Sequence, residues 1–248
     1  MKPFDLTGKR ILVTGASSGI GKASAVAAAQ LGAIVLLTGR RVEALKETLS
    51  ACIGEGHDVV VGDIAESDFV AKLVERSGKI DGLVHAAGVG PTCPIGMITQ
   101  DHLESVMKTN YYSFLELMKY YSKRKYRNNH FSVVAVSSVA SRSGWGGVAA
   151  YCGSKGALSS TVRALAMELA AKGVRVNAVC PSNIRTPMYY AGALDMNNED
   201  SLQELLKKQP LGLGEPEQVA WPICFLLSEA ANFITGVNLP IDGGYLAQ

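Results

Sequence analysis

The stretch RILVTGASSGIGKASAVAAAQ, residues 10–30, decides how the rest of the chain is read. It opens on the apolar run 10–14, passes through glycines at 15, 19 and 21, and ends in an alanine-rich segment. A run that is continuously apolar, rather than alternating, reads as a strand covered on both faces. Residues 19–31 read as a helix. Between the two, the G-x-x-x-G-x-G spacing permits a tight turn and a close backbone approach to a ligand. The opening helix turn adds free N–H groups and the positive end of its dipole. Any β–α turn could contain glycines, but this position, between the first strand and the first helix, favours a dinucleotide site. Gly15, Ser17, Ser18, Gly19, Ile20 and Gly21 are therefore the candidate phosphate cradle.

Further apolar runs follow at 34–38, 58–62, 81–86, 132–137, 175–180 and 236–241, with helix-length segments such as 42–51, 99–121, 151–171 and 216–229 between them. This alternation predicts one α/β domain over 1–248, a Rossmann-type doubly wound sheet of about seven parallel strands with helices on both faces. One segment breaks the rhythm. Residues 187–214, PMYYAGALDMNNEDSLQELLKKQPLGLG, are helical in pieces but tethered to no strand, and are expected to form a lid facing substrate, a surface hairpin being the plainer alternative.

With 248 residues, 48% of them hydrophobic, the chain can bury a large core, and a net charge of +2 points to no polyanionic partner. There is no basic stripe suited to nucleic acid, and no apolar run near the roughly 18 residues of a membrane span. The start, MKPFDLTGKR, has no apolar leader. The five cysteines (Cys52, Cys93, Cys152, Cys180, Cys224) are scattered without C-x-x-C spacing, which suits free thiols in the cytoplasm. The four histidines (His57, His85, His102, His130) show no ligand spacing, so no metal is expected.

After the second strand the chain reads Gly39-Arg40-Arg41, with no carboxylate before Glu43. An acidic residue here would bond the ribose 2′-hydroxyl of NAD; guanidinium groups suit a 2′-phosphate instead. NADP(H) is therefore expected over NAD(H), with two solvated arginines as the competing reading. Asp63, followed by Ile64, ends the third strand where the adenine would lie.

In AAYCGSKGAL, residues 149–158, Tyr151 and Lys155 are four apart and share one helical face. Bringing a phenol from about 10 towards neutrality takes about 3 units, or roughly 4 kcal/mol. An ammonium 4 Å away supplies about that much at an effective dielectric near 20. The pair could thus donate and accept a proton near pH 7. Ser138, at the end of the fifth strand, could bond a substrate oxygen from that edge.

TGASSGIG, Asn110 in MKTNYYSF, Ser138, YCGSK and CPSNIRTPM stand in the order found in the classical short-chain dehydrogenase/reductases. The chain resembles that family from the first glycine loop to ITGVNLPIDGG near the end. The resemblance implies Tyr151 as general acid/base, Ser138 holding the substrate oxygen, and Lys155 lowering the tyrosine's pKa and bonding the nicotinamide ribose. Asn110 would support a water relaying protons to Lys155. Ala87 and Gly88 would let the backbone approach the cofactor. Ile184 and Thr186, after Pro181, would meet the carboxamide. The resemblance also implies a homotetramer built through the fourth and fifth helices and the C-terminal strand.

Two departures stand out. The family often reads N-N-A-G where this chain has His85-Ala86-Ala87-Gly88, and P-G where it has Pro181-Ser182. His85 replaces a structural asparagine rather than adding an acid–base group.

Trp145, Val148, Met188, Tyr189 and Tyr190 would make an apolar, aromatic substrate pocket, for a ketone or alcohol with a flat face or for a sugar stacked on a ring. The run KYYSKRKYRNN (119–129) carries five cations. It reads as a solvated helix end, or else as a dock for an acidic acyl-carrier protein. Three functions stay open: an NADP-dependent reductase of a small ketone or its reverse, a 3-oxoacyl-carrier-protein reductase, and a non-catalytic NADP-sensing protein.

Overall fold

A computed structural model describes residues 4–192 and 199–247. Seven strands form one sheet: β1 (Arg10–Thr14), β2 (Ile34–Gly39), β3 (Asp58–Val61), β4 (Ile80–His85), β5 (Arg127–Val136), β6 (Val174–Pro181) and β7 (Asn238–Ile241). Their order is β3-β2-β1-β4-β5-β6-β7, and every neighbouring pair is parallel. Successive side chains leave a strand on opposite faces, and here both faces are buried. Ile11, Val13, Val35, Leu37, Val84 and Val134 enter one core layer, while Leu12, Leu36, Leu83, Val133 and Ala135 enter the other. This is why the runs are apolar without alternation.

Helices α1 (Gly19–Gln30), α2 (Val42–Ala51) and α3 (Ser67–Ser77) cross between the first strands. The face of the sheet that carries α1 also carries α9 (Pro216–Leu227), whose Val219, Ala220 and Ile223 are buried there. α3, α5 (Ser113–Tyr121) and α6 (Ala149–Leu169) cover the opposite face with Val70, Leu117 and Leu158. The strand order reverses between β1 and β4, and an open α/β sheet has its crevice at the carboxyl ends of the strands flanking such a reversal.

Two expectations are corrected. Residues 99–121 are not one helix: α4 (Gln100–Met107) runs into a π-helical turn, Lys108–Tyr112, before α5 begins. The wide turn holds Asn110, which is fully buried and bonded sideways to Val89 and Ser154. Single π-helical turns inside α-helices recur at functional sites.

The basic run is a helix end only in part: Lys119 lies in the last turn of α5, and the rest runs on into β5. α5 stops at Tyr121; Arg127 is the first residue of β5 and is buried, donating to the Asn128 and Lys172 carbonyls. Lys125 pairs with Glu75 at 3.2 Å. The run thus lies at the amino end of β5, ~30 Å along the strand from Ser138 at a rise near 3.3 Å per residue.

The segment expected as a lid is anchored at its base. Ile184 and Gly214 form a parallel bridge, Arg185 N donates to the Gly214 carbonyl at 2.8 Å, and Arg185 pairs with Glu215 at 3.0 Å. It contains α7 (Pro187–Gly192) and α8 (Glu199–Lys208); the stretch 193–198 lies outside the described residues.

Candidate active site

The glycine loop owes its shape to positions that take no side chain. Gly15 has φ +65°, and a Cβ there would sit 2.7 Å from the Ala86 carbonyl oxygen. A Cβ on Gly21 would run into the Gly15 carbonyl oxygen, and one on Gly19 (φ +52°) would meet Thr186 Cγ2 at 3.0 Å. Ser18 makes no side-chain cap on α1, so the first-turn N–H groups are available to an anion. Backbone pressed against backbone at the switch point, beside an uncapped helix start, fits a dinucleotide pyrophosphate.

Arg41 reaches back over this loop, donating to Ser18 Oγ at 2.8 Å and Ser17 Oγ at 3.2 Å. Arg40 faces Asp63 at 3.3 Å, both partly exposed. Two guanidinium groups therefore stand where the adenosine end of a cofactor would lie.

Across the cleft, β5 delivers Ser138 and α6 delivers Tyr151 and Lys155. Ser138 Oγ accepts from Ala140 N at 3.1 Å. Lys155 is 4% exposed; its Nζ donates to the Val136 carbonyl at 2.8 Å and lies 5.7 Å from the centre of the Tyr151 ring. Burial brings the Lys155 ammonium down to about 8 from 10.5. Tyr151 is raised above 10 by burial, and the Ser138 hydroxyl beside it pulls the other way. Burial is the larger influence on the Tyr151 phenol, and Lys155 Nζ is bonded to the Val136 carbonyl.

Asn110 sits behind this group. Its Oδ1 accepts from Val89 N at 2.8 Å, and its Nδ2 donates to the Val89 carbonyl and Ser154 Oγ, both at 2.9 Å. Gly88 lies between, since a Cβ on it would be 3.3 Å from Asn110 Oδ1 and 3.5 Å from Lys155 Nζ.

One cleft of about 840 Å³ joins the two halves. Every residue singled out above for cofactor contact lines it, from Gly15, Ser17, Ser18, Gly19, Ile20 and Gly21 through Arg40, Arg41, Asp63, Ile64, Ala87 and Gly88 to Pro181, Ile184 and Thr186. Ser138, Tyr151, Lys155, Trp145, Val148, Met188 and Tyr189 line it too. Asn110 does not reach its wall, and Tyr190 turns away, 56% exposed and packed on Tyr189.

Sequence reasoning missed others. Thr14 Oγ1 accepts from both Ala86 N and Ala87 N, at 3.1 and 3.0 Å, tying the first strand to the HAAG turn. Gln209 Oε1 accepts from Ser182 Oγ and Asn183 N, bracing the turn after Pro181. Tyr245, Glu204 and Leu205 line the cleft from segments with no motif to announce them. Thr14 was within reach, as the residue preceding the first glycine.

His85 is buried beneath the site. With both Thr14 lone pairs taken by N–H groups, the Thr14 hydroxyl donates to His85 Nδ1 at 3.2 Å. Burial, then the Lys155 charge, lowers the His85 pKa from 6.5 to about 3. Between those values only the unfolded chain takes the proton. Its contribution to stability is therefore complete above pH 6.5 and is lost as pH falls towards 3, by up to about 4 kcal/mol. Urea midpoints of the wild type should fall more steeply than those of His85→Asn across this window; parallel curves would refute the assignment.

Among the described residues no His, Cys, Asp or Glu group could hold a metal ion, and no helix is long and apolar enough to cross a membrane. All five cysteines are free.

The family profile described as enoyl-(acyl carrier protein) reductase matches residues 15–246. A 3-oxoacyl-[acyl-carrier-protein] reductase of Rickettsia prowazekii is 35% identical, the match covering 98% of this chain and 99% of that one. An L-rhamnose 1-dehydrogenase (NAD(P)+) of a Sphingomonas species is also 35% identical, covering 96% of each. A solved structure from Beutenbergia cavernae, described as an NAD(P)-dependent gluconate 5-dehydrogenase with NADP bound at low occupancy, is 32% identical with a TM-score of 0.89, covering 99% of this chain and 100% of that one. The chain belongs to the short-chain dehydrogenase/reductase family of oxidoreductases, which use a nicotinamide dinucleotide.

Proposed function

We propose that the protein is an NADP(H)-dependent oxidoreductase that interconverts a ketone and a secondary alcohol on a small molecule, with Tyr151 as the general acid/base. The observation that carries this reading is one cleft with a glycine cradle at one end and buried Tyr151, Lys155 and Ser138 at the other. Gly15, Ser17, Ser18, Gly19, Ile20 and Gly21 would hold the pyrophosphate, with Arg40 and Arg41 at the 2′-phosphate. Asp63 and Ile64 would lie at the adenine, and Ala87, Gly88, Pro181, Ile184 and Thr186 along the nicotinamide half. The cofactor, when bound, supplies or accepts the hydride.

The chain's own residues handle the proton. Ser138 holds the carbonyl oxygen against the Tyr151 hydroxyl. Tyr151 would donate its proton to the developing alkoxide in reduction and take it back in oxidation. Lys155 supplies positive charge behind it, and Asn110 holds Val89 and Ser154 so that the lysine pocket keeps its shape. Because Lys155 is brought down to about 8, its charge is lost from that pH upward rather than from 10.5. Reduction should therefore hold level through neutrality and decline above about pH 8; a profile flat to pH 10 would remove Lys155 from this role.

The Rickettsia relative supports a second reading, reduction of a carrier-bound 3-oxoacyl group. The basic run does not border the cleft, so a carrier would dock elsewhere. A carrier-bound substrate saturating far below its free thioester analogue would establish this reading. We further propose a cytoplasmic homotetramer. The five free thiols suit a reducing compartment, and half-exposed Phe4 and Trp221 border an apolar hollow with Leu239 of β7 that a second copy would cover.

A further inference from the structure

Three walls of the cleft converge on a residue that does not line it. Ser182, Asn183 and Ile184, after β6, form the wall along which the nicotinamide half would lie. Leu205 and Lys208 bring in α8, and Tyr245 brings in the C-terminal tail. Gln209 follows α8 directly, is 1% exposed, and is bonded or packed against all three.

Its amide pairs with Asn183 as a neighbouring strand would. Oε1 accepts from Asn183 N at 3.3 Å while Nε2 donates to the Asn183 carbonyl at 3.2 Å. Oε1 also accepts from Ser182 Oγ at 2.9 Å and Asn183 Nδ2 at 3.2 Å, and Nε2 also donates to the Gly212 carbonyl at 2.6 Å. Gln209 N donates to the Leu205 carbonyl at 3.0 Å, closing the end of α8. On the tail side, Leu211 N donates to the Gly243 carbonyl at 3.2 Å, and a Cβ on Gly243 would lie 2.8 Å from Gln209 Cγ.

A helix end alone does not call for this. The last carbonyls of a helix need donors, yet both amide hydrogens of Gln209 go to Asn183 and Gly212. The shortest bond to Oε1 comes from Ser182, where the chain departs from P-G and where a glycine could supply none. The side chain therefore ties α8 to the turn after β6.

We infer that Gln209 is a positioning residue that holds the cleft-lining end of α8 and the Tyr245 tail at a fixed distance from the nicotinamide turn, and that it passes the stiffening of this turn on cofactor binding to both. The inference rests on the oxidoreductase reading and deepens it.

The test compares the wild type with Gln209→Leu, which keeps the bulk and removes the amide, and Ser182→Gly, which removes a single bond. NADPH, ordinary or deuterated at the transferred C4 hydrogen, is used with ethyl 3-oxobutanoate and with acetophenone. A misplacement of about 1 Å can cost about 10²-fold, so Gln209→Leu should lose about that much in kcat/KM. The ketone KM should rise and the isotope effect should grow, while the glycine cradle keeps the NADPH Kd within a few-fold. Ser182→Gly should show the same changes, smaller, and should add little to Gln209→Leu in the double variant. In hydrogen exchange, NADPH should slow the amides of 203–212 and 243–247 in the wild type and not in Gln209→Leu. A Gln209→Leu protein whose ketone KM, isotope effect and exchange all match the wild type, whatever its melting temperature, would overturn the inference and leave the oxidoreductase reading standing. NADPH bound by a wild type that reduces neither ketone would count against that reading, and the exchange comparison would then decide the role of Gln209 by itself.

Discussion

Tyr151→Phe is expected to lower kcat by about 10²–10⁴-fold, the range by which a positioned proton donor speeds a reaction, while NADPH binding stays within a few-fold. Tyr151 lies at the base of the cleft with its phenol raised by burial, its ring beside Lys155, and Ser138 as its hydroxyl neighbour. Removing one oxygen deletes the proton that the alkoxide needs and leaves the ring packing in place. The same change relieves a buried hydroxyl, so thermal stability should hold or rise slightly. Steady-state kinetics, nucleotide titration and a melting curve on one preparation check all three. A variant that keeps turnover would place the proton donor elsewhere; one that loses NADPH binding would make Tyr151 a structural residue of the cofactor pocket.

Gly21→Ala carries the largest expected cost in stability. Its new Cβ would overlap the Gly15 carbonyl oxygen and lie 2.7 Å from the carbonyl carbon, backbone against backbone, with no flexible side chain to yield. Overpacking of this kind costs about 1–3 kcal/mol, or roughly 2–12 °C in Tm for a chain of this size. The loop that must shift is the phosphate cradle, so NADPH affinity should fall with stability. Gly153→Ala is the control: it lies on α6, is exposed, and a Cβ there meets nothing within 4 Å. It should be neutral or stabilise by about 0.5–1 kcal/mol, the ordinary helix preference of alanine over glycine. Equal behaviour of the two variants would mean that the loop is slack.

What the sequence revealed, and what it withheld, follows from how local each constraint is. The strands were legible because a parallel sheet buries both faces, so that Ile11, Leu12 and Val13 are all apolar though they enter different layers. The start of β5 was not legible: Arg127, Asn128 and Asn129 are polar, and the strand begins there because Ile80 pairs with Arg127. α3 was legible but passed over: SDFVAKLVERS buries Val70, Leu73 and Val74 at helical spacing on one face, the pattern of an amphipathic surface helix. The glycine loop was legible because its glycines answer to φ and to contacts within one turn.

Asn110, in the π-helical turn, bonds to Val89 and Ser154, residues 21 and 44 positions away, which no local pattern encodes. The same limit hid Tyr245, Glu204 and Leu205. Spacing placed Tyr151 and Lys155 on one face, but it could not show Lys155 turned onto the Val136 carbonyl.

The most direct test of the account is a fluorescence titration of the purified protein with NADPH and NADH in parallel, repeated on Arg40→Asp. The account predicts saturable binding of both nucleotides, tighter for NADPH, with that preference lost in Arg40→Asp. NADH binding as tightly as NADPH, and unmoved by the substitution, would show that Arg40 and Arg41 are merely solvated and would contradict the cofactor assignment. Binding of neither would contradict the reading of the cleft itself.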